Sequence, residues 1–520
     1  MIRRALLATA AALFVSATAR AYNAQLFGHP LRLDLTDSFD LAWHGDSGDP
    51  TIAKNFGELV NHLNVDGATG PWLLQLRLDT SDYAYSPQEQ NRYEQNPVDL
   101  QNQIGPVPRI FEKMALSYRS RHLDATLGDF YASFGRGLVL SIRKFDELGI
   151  DTTLFGGKVV GRLGRFTGTL LAGETNTQNL DPTTATYTLD PNDEIAAARA
   201  AYRLPHEVTV GAHGLIGQAA TKESFLQRNP DRYRRAGVTV DAPRAAKWLS
   251  LYGEYAHQDD TVQDHGTTGD AFYASATAYA GKTTWLFEGK RYDHYQAWFP
   301  SNDTLHVAPY MVPPTLERIT VPLTENDNVT AGRLRADVDL SPSLTVYGSG
   351  EYGNEPQEAD PLHLADAYAG ANVRWQGGLG HVFPLFEWRE ETRDSDGSTY
   401  SKLVAFEYDL AQPVRGAWSV ESDGQVWLRE ETGVAWREGQ AYLALKHAPD
   451  WVVTVGYEFN DRPPQKQTSF FNASAVWNIT SATSLTLFVG GQRPGLKCVS
   501  GVCRTFPAFN GARLELVARG

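Results

Sequence analysis

The two cysteines of the chain, Cys498 and Cys503, are separated by four residues near the C-terminus. In an oxidising compartment two thiols at this spacing can close a small disulfide ring, which would pin one loop. A metal site is the alternative, but it would need further ligands and no histidine lies nearby. The pattern therefore favours a disulfide, and two cysteines in all exclude a disulfide-rich scaffold.

A second concentration of reactive groups lies between Gly128 and Asp151, where glycines and aromatic residues accompany charges of both signs. The charged members are Arg136, Arg143, Lys144, Asp146 and Glu147. If this segment folded into a pore, these side chains would set up a transverse field and form a constriction. The same glycines also suit an extended hairpin with bulges, so both interpretations stay open.

Catalytic signatures are missing from the sequence. The 13 histidines are scattered, and there is no G-x-S-x-G, H-E-x-x-H or P-loop motif. A triad assembled only in space would leave no such motif, so an enzyme stays the least favoured class. We predict no enzymatic activity and no cofactor or metal. A net charge of −14 also argues against nucleic acid as a partner.

Residues 1–21 have the pattern of a secretory signal peptide. Arg3 and Arg4 precede an apolar stretch, and Ala19-Arg20-Ala21 fits the small-residue cleavage pattern. A membrane anchor is the alternative, but the apolar stretch is shorter than the ~20 residues of a spanning helix. We predict cleavage after Ala21, a mature domain over 22–520, and a destination beyond the inner membrane.

The mature chain alternates apolar and polar residues over segments of about ten residues, which is typical of half-buried strands. The clearest segment is 333–340, where four charged residues alternate with leucine, alanine and valine: Arg333, Arg335, Asp337 and Asp339. A wall between lipid and water needs this pattern. We predict that these four side chains face a lumen.

The connections between the predicted strands alternate short and long. Short ones include 205–206, 341–343, 377–379, 412–415 and 448–450, and long ones include 84–108, 175–194, 296–327 and 354–363. Outer-membrane barrels combine short periplasmic turns with long extracellular loops in this way. The sequence therefore predicts an all-β fold: one large antiparallel transmembrane β-barrel of about 24 strands, within a range of roughly 20–26.

Aromatic residues next to the predicted short turns predict an interfacial girdle. They are Trp72, Tyr202, Trp248, Trp375, Trp418 and Trp451. Core aromatics of a soluble β protein would be the alternative, but the alternation of loop lengths favours the girdle.

The whole mature chain resembles porin-like outer-membrane β-barrels of Gram-negative bacteria. The run Gly-Asp-Phe-Tyr-Ala-Ser-Phe-Gly-Arg-Gly-Leu at 128–138 is similar to that of barrels of unassigned function. The resemblance implies an integral outer-membrane protein that contacts lipid, lipopolysaccharide and the barrel-insertion machinery. It implies no catalytic or ligand-binding residue.

Two functions follow from a barrel of this size. The first is a channel for hydrophilic solutes or a polymer, narrowed by loops 84–108 and 296–327, in which net negative charge favours cations. The second is a structural or docking barrel of a larger envelope complex, whose loops or turns bind other envelope proteins.

Overall fold

A computed structural model of the protein describes residues 24–26, 28–47, 54–85, 111–181, 186–187, 190–219, 231–262, 265–295, 309–318, 328–355, 361–395, 397–463, 467–499 and 502–520. Among these residues, no helix is both long enough and apolar enough to cross a membrane. Strands dominate this described part of the chain, which also contains three short 3-10 turns at Asp146–Leu148, Pro205–Glu207 and Gln376–Gly378.

Twenty-four strands form a closed antiparallel barrel wall, as the sequence predicts. Numbered within all strands of the chain, they are β2 (His29–His44), β3 (Phe56–Thr69), β4 (Trp72–Tyr85), β5 (Lys113–Arg119), β6 (Leu123–Phe130), β10 (Ile150–Leu163), β11 (Phe166–Thr177), β14 (Glu194–Arg203), β15 (Thr209–Gln218), β16 (Arg232–Ala246), β17 (Leu249–Val262), β18 (His265–Ala280), β19 (Thr283–Asp293), β20 (Val329–Ser341), β21 (Leu344–Glu355), β22 (Leu362–Trp375), β24 (Leu385–Arg393), β25 (Thr399–Arg415), β26 (Trp418–Glu431), β27 (Val434–His447), β28 (Trp451–Asn460), β29 (Ser469–Thr480), β30 (Thr483–Gln492) and β33 (Phe509–Arg519).

The remaining strands are short and mostly lie outside the wall. They are β1 (Ala24–Leu26), β7 (Ala132–Phe134), β8 (Leu140–Ile142), β9 (Lys144–Phe145), β12 (Leu180–Asp181), β13 (Thr186–Tyr187), β23 (Gly380–Val382), β31 (Gly495–Val499) and β32 (Val502–Phe506).

The barrel closes where its first and last wall strands pair. The strand β2 pairs with β3 on one side and with β33 on the other, and Leu41 lies opposite Leu514 at this seam. Because the number of wall strands is even, β2 begins and β33 ends at the same end of the barrel. We call this the short-turn end and the opposite one the long-loop end.

Connection lengths agree with the predicted alternation, with two exceptions. At the long-loop end, only two residues separate β17 from β18 (263–264) and β26 from β27 (432–433). One predicted short turn is wrong: 412–415 belongs to β25, and the turn itself lies at 416–417. Paired strands can extend beyond the membrane, so their length is not set by the bilayer alone.

The outer face of the wall is apolar. Leu170, Ile216 and Phe386 are each more than 60% exposed. A neighbour of each in the sequence is buried, as Leu171 is beside Leu170 and Leu215 is beside Ile216. Alternate strand residues point to opposite faces, so the exposed set faces outward. An outward apolar wall around a closed sheet is the architecture of a transmembrane β-barrel.

Candidate functional site: the lumen and its inward segments

Residues 131–149, which we call the inward segment, leave the end of β6 and fold against the inner wall before β10 begins. Leu138, Val139 and Leu140 are completely buried and pack with inward-facing side chains of the wall, among them Leu171 and Leu215. The hydroxyl of Tyr295 donates to the Leu138 carbonyl oxygen at 2.7 Å. An apolar cluster therefore fills this side of the lumen.

Glycines allow the inward segment to approach the wall closely. Gly135 has φ of 55°, and a side chain there would overlap the carboxylate of Glu254 on β17. The same carboxylate accepts a hydrogen bond from the Arg136 backbone N–H at 2.6 Å. Glycine tolerates both the positive φ and the close contact.

A second stretch, 309–318, crosses the lumen, and we call it the strap. At one end the Tyr310 hydroxyl donates to Asp193 at 2.8 Å, close to Thr175 of β11. At the other end the Arg318 guanidinium donates to Glu387 of β24 and to Glu407 of β25. These anchors lie on widely separated parts of the wall. The strap therefore crosses the interior of the barrel from one side of the wall to the other. It belongs to the predicted loop 296–327.

The strap also rests on the inward segment. Its Val312 N–H donates to the Gly137 carbonyl at 3.1 Å, and the Ser141 N–H donates to the Tyr310 carbonyl at 2.8 Å. The two segments therefore form one packed unit inside the barrel.

The hairpin of β31 and β32 covers part of this unit. Arg504 donates to the Leu148 carbonyl at 2.8 Å, and Val502 is buried against Phe145 and Val312. Within the hairpin, Cys498 and Cys503 lie directly opposite each other in the strand register. Their disulfide stays a prediction.

The predicted constriction residues lie on the inward segment, inside the barrel. The Arg136 guanidinium stacks 5.0 Å from the Tyr252 ring, and Arg143 lies 4.6 Å from the Phe145 ring. Lys144 pairs with Asp146 at 2.5 Å, and Glu147 is exposed. Burial lowers the pKa of the Arg143 guanidinium. Whether these charges set the ion selectivity stays a prediction.

The four residues predicted to face the lumen make contacts on the inner side of β20. Arg333 binds Glu288 and the Leu316 carbonyl of the strap, and Arg335 pairs with Asp337 at 2.7 Å. Asp339 accepts a hydrogen bond from the Thr345 hydroxyl at 2.6 Å.

The six predicted girdle aromatics all lie at the short-turn end, at a strand terminus or within a turn. Trp72, Trp418 and Trp451 begin their strands, Trp375 ends β22, and Tyr202 lies one residue before the end of β14. Trp248 lies in the turn between β16 and β17 and is 57% exposed. Membrane contact by this ring stays a prediction.

Opposite the apolar cluster, the lumen wall is charged and partly exposed. The Asp409 side chain on β25 is 59% exposed although it lies on the inner face, as its neighbour Ala411 does. Glu421 and Lys446 pair at 3.2 Å and are each 39% exposed. Sequence reasoning did not single out these charged residues. The alternation of inward and outward positions along each strand could have identified them.

A polar network ties the start of the inward segment to the wall. Asp151 accepts hydrogen bonds from the Tyr131 hydroxyl at 2.6 Å and from Lys113 and Arg77. Next to Lys113, burial raises the pKa of Glu112 from its ordinary value of 4.5 to about 7. The nearby Asp79 acts in the same direction, and the Asn179 N–H opposes it.

Glu112→Gln is expected to stabilise the folded barrel above pH 7 and to leave it unchanged below pH 4. A raised carboxyl pKa costs stability as pH rises from the unfolded value of 4.5 to about 7, and the full cost is on the order of 3 kcal/mol. Urea unfolding at pH 4 and pH 8 measures the difference. Glu147→Gln, an exposed control on the inward segment, is expected to show none, and a parallel pH profile for Glu112→Gln and wild type would contradict the prediction.

Fold and lumen together define the class of protein: a 24-stranded transmembrane β-barrel with polypeptide segments folded into its interior. The chain belongs to the Family of unknown function (DUF6029), whose model matches residues 93–307 and 389–519. No curated protein matches the chain.

Solved structures that are similar to the chain are outer-membrane barrels. The siderophore receptor PirA of Pseudomonas aeruginosa is 8% identical with a TM-score of 0.49, and the match covers 94% of this chain and 80% of the receptor. The P pilus usher PapC pore is 8% identical with a TM-score of 0.42, covering 94% of this chain and 99% of the pore. A BenF-like porin of Pseudomonas fluorescens Pf-5 is 11% identical with a TM-score of 0.39, covering 73% of this chain and 96% of the porin. Such low values transfer no substrate, so the proposals below depend on this chain's own residues.

Proposed function

We propose that the protein is an integral outer-membrane channel through which hydrophilic solutes pass, with a preference for cations. The observation that carries this proposal is the charged, partly exposed inner wall on β25–β27, opposite the apolar cluster. Barrels of more than about 16 strands enclose water unless they are plugged. Export by a cleaved signal peptide over 1–21 and contact with lipopolysaccharide belong to the same proposal.

The proposal is tested by recording single-channel currents of the folded protein in a planar bilayer under a KCl gradient. We expect a steady conductance and a reversal potential closer to the potassium equilibrium potential than to that of chloride, because carboxylates predominate on the lumen wall. A folded barrel that carries no current would contradict it.

Asp409→Lys is expected to lower the potassium-to-chloride permeability ratio about two-fold, because it reverses one charge on the exposed lumen wall. Reversal potentials of variant and wild type measure the change. Glu390→Lys reverses a charge on the outward side of β24 and is the control, expected to keep the wild-type ratio. Equal ratios for all three proteins would exclude Asp409 from the conduction path.

A docking barrel is the second candidate, and the packed unit of inward segment, strap and β31–β32 hairpin favours it. These segments bury apolar side chains inside the lumen instead of leaving it open. A silent barrel that retains a stable envelope protein in mild detergent would favour this function.

A further inference from the structure

Four inward-facing side chains on three adjacent strands carry oxygen atoms for which no hydrogen-bond partner exists among the residues that the structure describes. They are Ser349 and Glu351 on β21, Asp366 on β22, and Glu387 on β24. All four residues are at least nine-tenths buried. Both carboxylate oxygens of Asp366 belong to this set, as does one oxygen each of Glu351 and Glu387.

Glu351 and Asp366 lie directly opposite each other in the strand register. Like charges in such a cross-strand pair repel, and a buried carboxylate without a compensating charge is costly. The interior of a barrel is polar, but most of its buried carboxylates have a cationic or hydrogen-bonding partner. This pair therefore requires an explanation beyond stability.

The cations that face this pair are engaged by other carboxylates. The pairs are Lys290 with Glu317, Arg333 with Glu288, Arg389 with Glu391, and Arg318 with Glu387 and Glu407. Among the described residues, neither Glu351 nor Asp366 forms an ion pair within 4.0 Å. A positive charge supplied from outside the chain would compensate both.

The free atoms indicate what kind of cation fits. Carboxylate oxygens only accept hydrogen bonds, and the Ser349 hydroxyl can accept one as well, so the occupant must bring donors. The acceptors extend over three strands at a spacing of ~4.8 Å per strand. A linear chain with ammonium groups separated by propyl or butyl linkers matches such a row better than one compact ion.

The partly exposed lumen side chains next to this row lie toward the short-turn end, so we expect entry from that side. Ser349 is paired in register with Arg335, whose side chain is 34% exposed, and Asp337 beyond it is 29% exposed. On the opposite side the strap covers the row, because Arg333 binds the Leu316 carbonyl.

We propose that Glu351 and Asp366, with Ser349 and Glu387 beside them, form a binding site for linear polyamines inside the barrel. The site deepens the proposed channel, since it names the class of cation that the lumen recognises. The row of acceptors under the strap is the binding surface, and ammonium N–H groups occupy its free oxygens.

The test is calorimetric titration of the folded full-length protein in detergent micelles with spermidine at pH 7. Wild type is expected to bind spermidine, and Asp366→Asn or Glu351→Gln is expected to weaken binding at least ten-fold. Asp423→Asn, which removes an exposed lumen charge on β26, is the matched control and is expected to keep the wild-type affinity. The heat-modifiable gel mobility of each variant verifies that it is folded.

Binding is measured apart from conduction, so the two proposals fail separately. If wild type binds no spermidine, or if Asp366→Asn binds it as tightly, the polyamine site is overturned even where the barrel conducts. If Asp423→Asn weakens binding as much as Asp366→Asn, general charge attraction explains the result and the site is also overturned. Selective loss in the Asp366 and Glu351 variants supports the site even where the barrel carries no current.

Discussion

The Leu140→Glu variant is expected to conduct about two- to five-fold more current than the wild-type protein. Leu140 is completely buried between the inward segment and the inner wall, and a carboxylate there would lie in an apolar cluster without a partner. Burying such a charge costs several kcal/mol, which exceeds what a short packed segment contributes. The inward segment should therefore leave the wall, whereas the barrel stays closed because interstrand hydrogen bonds hold it together.

Single-channel recording of Leu140→Glu measures this release, and Ser133→Glu is its matched control. Ser133 lies on the exposed side of the same segment, so the added charge there stays solvated. Wild-type conductance is expected for Ser133→Glu. If Leu140→Glu also conducts like wild type, the inward segment does not limit the current.

The barrel wall could be predicted from sequence because its signal is local. Each strand crosses between lipid and lumen, so apolar and polar residues alternate with period two, and the segment 333–340 shows this without any knowledge of its neighbours. Turn residues then set the boundaries. The segment 412–415 resembles a turn in the sequence because it contains Pro413, but β25 continues through it.

Acidic residues such as those at 258–269 are typical of a solvated loop, so the sequence alone does not predict strands there. The structure places Asp259 and Asp260 in β17, and only residues 263–264 separate this strand from β18. Asp260 points inward and pairs with Arg235 at 2.6 Å. A buried ion pair formed by neighbouring strands leaves no mark in the sequence of either strand.

The inside of the barrel could not be predicted, because its contacts join distant parts of the chain. Tyr295 binds Leu138 across 157 residues, and Tyr310 reaches Asp193 across 117. Nothing in the composition of 131–149 distinguishes a segment that packs inward from a bulged hairpin. The same holds for the Glu351–Asp366 pair, which is a product of register and not of spacing.

Gly156→Val is expected to lower the yield of folded barrel at least ten-fold. Gly156 of β10 is paired with Gly128 of β6 and with Gly173 of β11, so three glycines form a row across adjacent strands. A side chain at Gly156 would overlap the backbone of Ala172 and Gly173, which cannot yield as a flexible side chain can. This row lies close to the point where the inward segment leaves β6, and glycine within a strand marks a site where a neighbouring backbone approaches closely.

The control for Gly156→Val is Gly350→Val on β21, where an added side chain meets open space and the same β-branched residue is introduced into a wall strand. Because valine favours strands, Gly350→Val is expected to fold as well as wild type. Heat-modifiable gel mobility after refolding measures the folded fraction of each protein. Equal folded fractions for the two variants would mean that the glycine row is not required for closure of the barrel. A selective defect in Gly156→Val would instead show that closure requires the close backbone contact between β10 and β11.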